Sequence, residues 1–164
     1  MSASRIIRQP NPSRRGYTCG YWRWRITEKF VWGESAGTII FCMKLRFRGN
    51  SLRLRLNQRE VARLAAGSPL EERVLFPDDA CFCYILEPSR KSAPEASFHE
   101  GVIRVSAPAS WIEEWASTAR IGIYFALPAN GTALQVAVEK DLECIDGPPE
   151  ERDPDAFPRS EKTC

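Results

Sequence analysis

From Lys44 onward the chain alternates. Leu45 and Phe47 fall on one parity and Lys44, Arg46 and Arg48 on the other; after Gly49-Asn50, Leu52, Leu54 and Leu56 alternate with Arg53 and Arg55. Side chains point to opposite faces of a strand with a period of two, so each run is a strand with one apolar face. The Gly-Asn link joins them as a β-hairpin. Asn57 with Glu60 three residues on gives an approximate capping box, and Val61, Leu64 and Ala65 make the apolar stripe of a short helix. Gly67-Ser68-Pro69 ends it. Arg73–Phe76 and Cys81–Glu87 read as strands about a Pro77-Asp78-Asp79 turn.

The order then recurs. Ala96–Phe98 and Val102–Ser106 are strands about Glu100-Gly101, and Pro108 suits the first helical position. Ile112, Trp115 and Ala116 form the stripe of a second helix. Ile121–Phe125 and Leu134–Lys140 are strands about Asn130-Gly131, a strong hairpin signal. Leu54, Val61, Leu64 and Ala65 match Val105, Ile112, Trp115 and Ala116 at an offset of 51. Phe82, Tyr84, Leu86 and Glu87 match Leu134, Val136, Val138 and Glu139 at 52. The expectation is an α+β fold: a duplicated ββαββ unit (44–88 and 96–140), forming an eight-stranded, mainly antiparallel, curved or barrel-like sheet with two short helices. Neither half has a partner for its apolar face, so the two should share one core.

Charge divides the chain into three zones. Residues 1–42 carry seven basic and two acidic groups, 43–140 thirteen and eleven, and 141–164 three and eight. Residues 1–42 are Ser-, Pro- and Arg-rich at first, then hold Trp22, Trp24 and Trp32 without sustained periodicity. They read as a poorly ordered extension, and order begins so abruptly at Met43 that Met43 is expected to be the true start. The rival reading is a basic, aromatic arm for RNA or a membrane surface. Residues 43–146 are the single domain and 147–164 an extended acidic tail. No run approaches the ~20 apolar residues of a membrane span, and none resembles a signal peptide. The six cysteines form no CxxC pair. A cytoplasmic protein with reduced thiols, no cofactor and no membrane association is expected.

The stretches MKLRFRGNSLRLRLNQREVARL (43–64) and VEKDLECID (138–146) resemble an uncharacterised bacterial family of small proteins. These open with MK-x-R-x-RGNS-x-RLRL, close with EKD-x-x-CL, and end in an acidic D-x-FPNP tail. The likeness spans about 43–158 and departs at Arg159, which follows Phe157-Pro158. It supports Met43 as the start and implies no activity and no site residues.

The candidate chemistry is sparse. Lys44, Arg46, Arg48, Arg53 and Arg55 share the face opposite the leucines, and Arg104 should join them through the duplication. Like charges on paired strands repel, so the row suggests an anion site for nucleic acid or a phosphorylated ligand. The blander and weightier reading has Glu87 and Glu139 pairing with the arginines across strands of a solvated face. A charged tunnel acting on a phosphorylated substrate would need Glu87 and Glu139 as metal ligands, a set too small and too basic to favour. His99 reads as an exposed turn residue. Cys81 and Cys83 read as small buried apolar residues rather than half a metal site, and Cys144 has only Lys140 near it to activate it. Trp115 should be core. Trp111 is a candidate partner contact, as is Phe157, which could instead tie down the tail. The tail's acids could lie across the arginines. The leading reading is a non-enzymatic binding or interaction module whose partner, a protein or an anionic ligand, and whose oligomeric state the sequence leaves open. The alternative is a metal-dependent enzyme acting on a phosphorylated substrate.

Overall fold

The computed structural model describes residues 43–77, 80–143 and 153–159. In chain order the elements are β1 (Lys44–Phe47), β2 (Ser51–Leu56), α1 (Gln58–Ala65), β3 (Leu70–Leu75), β4 (Cys81–Ser89), β5 (Glu95–His99), β6 (Val102–Pro108), α2 (Ala109–Ala116), β7 (Gly122–Ala129) and β8 (Thr132–Lys140). The sequence expectations for residues 1–42, the Asp78-Asp79 turn, Cys144 and much of the tail fall outside the described residues.

Local chemistry explains each element. The Asn57 side chain accepts the N–H of Glu60, and the Glu60 carboxylate accepts the N–H of Asn57, so the predicted capping box is complete. Asn130-Gly131 and Glu100-Gly101 all have positive φ, as the tight turns matching strand twist require. Two boundaries differ from expectation. β3 starts at Leu70, which is 3% exposed and pairs in register with Leu86, so packing extends the strand back from Arg73 to Leu70. Pro108 is the N-cap of α2 and the last residue of β6; the helix proper begins one residue later.

The strands form two four-stranded mixed sheets, β1-β2-β8-β7 and β3-β4-β6-β5. This corrects the single barrel-like sheet, while four of the six strand pairs are antiparallel and two are parallel. Each sheet is two antiparallel hairpins joined through a parallel central pair, β2 with β8 and β4 with β6, and neither closes. The crossings explain the parallel pairs. α1 carries the chain from the first sheet to the second, and α2 carries it back, so each returning hairpin meets its sheet through a strand running the same way. Alternation cannot tell one curved layer from two facing ones, because both ask for one apolar face per strand.

The apolar faces meet in one core. Leu52, Leu54, Leu56, Val136 and Val138 come from the first sheet, and Leu86, Ile103 and Val105 from the second. Leu64 of α1 and Ile112 and Trp115 of α2 cap it at one end. The hairpin ends of the four antiparallel strand pairs lie at the other end, where no helix among the described residues covers the core.

Candidate functional site

The outer face of the first sheet carries the basic row. Register sets Lys44 opposite Arg55 and Arg46 opposite Arg53, so four cations form a block on two adjacent strands. The next strand supplies the counter-charge, since Arg55 lies opposite Glu139 of β8. Glu139 Oε2 is 3.5 Å from Arg53 Nε and 3.6 Å from Arg55 Nε, with the Glu139 side chain only 11% exposed. Lys44 Nζ donates to Asp141, whose side chain is buried. Arg46 and Arg48 make no ion pair among the described residues. The predicted Arg–Glu pairing is therefore present, but it leaves the face with more cations than carboxylates.

A tyrosine completes the Glu139 environment. Tyr124 of β7 hydrogen-bonds Glu139, and its phenol is raised above its ordinary value by burial first and then by the Glu139 charge and hydrogen bond. Its ring lies over Gly122, where a Cβ would come 2.8 Å from the ring and 2.9 Å from the Val138 carbonyl oxygen. A glycine beside an aromatic in a strand is the sequence signal for this contact, and it went unread.

Arg104 does not join the row. It lies on the outer face of the second sheet and donates to Glu87 at 2.7 Å. Ile103 and Val105 face the core between the sheets, so Arg104 points away from Arg53 and Arg55 on the opposite side of the molecule. The same geometry separates Glu87 from Glu139: they sit on opposite outer faces and cannot ligate one ion. Among the described residues no three His, Cys, Asp or Glu side chains are grouped to hold a metal.

The remaining candidates are placed as follows. Cys81 and Cys83 share the outer face of β4; Cys83 is buried, and neither is in a disulfide. His99 ends β5 with its side chain 85% exposed, 3.7 Å from Glu100. Trp115 is fully buried. Trp111 is 38% exposed at a cavity of about 200 Å³ shared with Glu114, Arg120, Ile123 and Tyr124.

Phe157 packs against the core, bridges Leu142, and lies with its ring 5.3 Å from Lys140 Nζ. Asp153 accepts from the Asn57 side chain, and Asp155 pairs with Arg59 at 2.9 Å. These tail acids sit at the start of α1, not across the arginines.

Lys140, expected as the end of the last strand and the one cation near Cys144, shares the parity of Leu134, Val136 and Val138, which puts it on the inner face. Its ammonium donates to the Thr118 carbonyl and lies 5.6 Å from the Trp115 ring. Burial lowers its pKa.

Among the described residues no helix is long and apolar enough to cross a membrane. The search of curated proteins finds no match, and no solved structure matches. A family model described as "Family of unknown function (DUF7009)" matches residues 43–161, covering both sheets, both helices and the docked tail. The chain belongs to that family of unknown function.

Proposed function

We propose that the protein is a non-enzymatic binding module that takes an anionic ligand on the outer face of the first sheet, over β1 and β2. The observation that carries this is the registered block of Lys44, Arg46, Arg53 and Arg55, four cations against two carboxylates, Glu139 on the arginines and Asp141 on Lys44. Two guanidiniums share Glu139 and are thereby held in place, while Arg46 and Arg48 are exposed and unclaimed among the described residues. Held arginine forks suit phosphate or carboxylate oxygens.

The duplication of the ββαββ unit belongs to the same reading. It is supported by the element order, which runs through the same five elements twice, and by the strand order, which is the same in both sheets once the halves are exchanged. Arg104 with Glu87 at 2.7 Å matches Arg53 with Glu139. The basic face distinguishes the halves because the positions 51 residues after Lys44, Arg46, Arg48 and Arg55 are Glu95, Ser97, His99 and Ser106.

The test is binding of heparin and single-stranded RNA at several salt concentrations. Wild type should bind more weakly as salt rises, because bound phosphates release counterions. Changing Arg46 and Arg48 to Glu should abolish binding without changing the melting temperature. Wild type that fails to bind either polyanion at low salt, or a double variant that binds like wild type, overturns the proposal.

A further inference from the structure

The two helices begin differently. Asn57 and Glu60 form the capping box of α1, and the residues 51 places after them are Pro108 and Trp111. Pro108 has no N–H to donate and makes no side-chain cap bond, so the third residue of α2 has no capping task. A tryptophan stands there instead, 38% exposed.

Trp111 and Glu114 of α2 and Arg120, in the connection that follows, meet the start of β7. With Ile123 and Tyr124 they line the cavity of about 200 Å³. β7 is an edge strand of the first sheet, so the cavity lies at that sheet's free flank. Ile123 is buried, and Tyr124 is 60% exposed. Glu114 and Arg120 pair at 2.9 Å, with side chains 63% and 57% exposed. An ion pair that exposed contributes little, so a ligand can place its own polar atoms against it at small cost.

Tyr124 belongs both to this cavity and to the basic face. It hydrogen-bonds Glu139, the carboxylate that holds Arg53 and Arg55. Register sets Tyr124 opposite Ala137, Ala137 beside Arg53, and Arg53 opposite Arg46. Neighbouring strands lie ~4.8 Å apart, so Arg53 stands roughly 10 Å from Tyr124 across the sheet. Only the methyl group of Ala137 lies between them on that row.

We propose that the cavity is a guanine site: the base lies against Trp111 and Tyr124, Glu114 accepts from its N1–H and 2-amino group, Arg120 donates to its O6, and its phosphate reaches Arg53. The volume is below the ~300–1,000 Å³ of sites that enclose a whole small molecule, so one planar ring system enters and the sugar and phosphate stay outside. Aromatic side chains stack on any base, which gives affinity without choice. The choice comes from the ion pair. Guanine alone among the common bases has two adjacent donors on one edge, which the two oxygens of a carboxylate accept together, and O6 stands beside them for the guanidinium. Adenine offers that carboxylate only its 6-amino group. The chemistry is a guanine with a phosphate one sugar away, in a free nucleotide or in single-stranded RNA. The phosphate contact rests on the basic face proposed above; the base contact stands on the cavity alone.

The test is calorimetric titration of the full chain with guanosine, GMP and AMP, and with the single-stranded oligoribonucleotides UUGUU and UUAUU. Wild type should bind GMP about tenfold more tightly than AMP, and UUGUU more tightly than UUAUU by the same factor, the worth of one bidentate contact. Glu114→Lys, at an exposed position, should abolish binding of guanosine and GMP with the melting temperature unchanged. Trp111→Ala should weaken both about tenfold, and Trp111→Phe should restore them. Arg53→Gln should bring GMP down to the affinity of guanosine and leave guanosine as it was. UUGUU tighter than GMP supports the site and assigns it to a strand; GMP tighter than UUGUU supports it and assigns it to a free nucleotide.

Equal affinity for GMP and AMP, or a Glu114→Lys protein that binds guanosine like wild type, overturns the guanine site. GMP binding untouched by Arg53→Gln overturns the phosphate contact. Heparin binding without binding of guanosine or GMP overturns this inference and spares the polyanion reading. Guanosine binding without heparin binding upholds the base site and marks failure of the polyanion reading alone.

Discussion

Glu60 and Asn57 hold each other at the start of α1: the Asn57 N–H donates to Glu60 Oε2 at 3.0 Å, and the Glu60 N–H donates to Asn57 Oδ1 at 3.0 Å. The backbone N–H of Met43 donates to the same carboxylate. Glu60 is nevertheless 8% exposed. Burial, and then the neighbouring Glu72 and Asp153 charges, outweigh the two backbone donors and push its carboxyl up from 4.5 to about 7.

A pH dependence follows with a definite sign. Between pH 4.5 and about 7 the folded chain holds a proton on Glu60 that the unfolded chain has released, so stability falls as pH rises. The loss is of order 3 kcal/mol across that window. Urea unfolding from pH 4 to 8 should show the decline. Glu60→Gln should flatten it, because glutamine also serves at this capping position. A chain beginning at Met43 should flatten it too, since an α-ammonium in place of the Met43 amide would stand against the carboxylate and hold it ionised. Parallel profiles for wild type and Glu60→Gln would rule out this assignment.

Gly122→Ala should destabilise the fold by about 1–3 kcal/mol, as small-to-large changes in tight sites do. The Tyr124 ring can swing away from the new methyl group, at the loss of its hydrogen bond to Glu139, but the Val138 carbonyl 2.9 Å away is backbone and cannot. Thermal melts should therefore show only partial recovery in the Gly122→Ala, Tyr124→Ala double variant. Full recovery would place the whole strain on the ring.

Phe157→Ala should cost about 1–3 kcal/mol, less than a fully buried phenylalanine. Phe157 is half-buried over Lys140, and its N–H donates to the Asp141 carbonyl at 2.8 Å. Hydrogen exchange at the Glu143 amide, which donates to the Phe157 carbonyl at 2.9 Å, should speed up in the variant. Unchanged exchange there would mean the ring does not hold the segment in place.

Lys140→Met should lower stability by about 1 kcal/mol. The methionine keeps much of the buried stem but loses the donation to Thr118 and the cation beside Trp115 and Phe157. Burial has lowered the lysine pKa, which already takes back part of what those contacts give. Denaturant melts of the variant at neutral pH measure the balance, and a gain in stability would show desolvation to be the larger effect.

Local elements were legible because their causes are local. Leu52, Leu54 and Leu56 alternate, Asn57 caps, and Asn130-Gly131 turns, each within a few residues of sequence. Pairing between distant strands was not. Leu54 sits beside Val138, and nothing in either run says that the two strands lie parallel in one sheet while Val105 faces them from another. That single ambiguity put Arg104 among Arg53 and Arg55 when it lies on the far side. The same limit hid two exposed phenylalanines: Phe47 and Phe98 carry the parity of core residues, and only the end of the opposing sheet decides whether something covers them. Tyr124 over Gly122 and the inward Lys140 could have been read, the first from the glycine beside an aromatic and the second from counting by twos.

The central pairing of β2 with β8 ties Leu56 to Lys140, near opposite ends of the described domain. On a ribosome, β2 therefore emerges long before its neighbour exists, and its open edge and leucines stay without their native cover until the last strand is made. Nascent chains of this protein should depend on early shielding by chaperones, and those stopped short of Thr132 should aggregate rather than settle into half a structure.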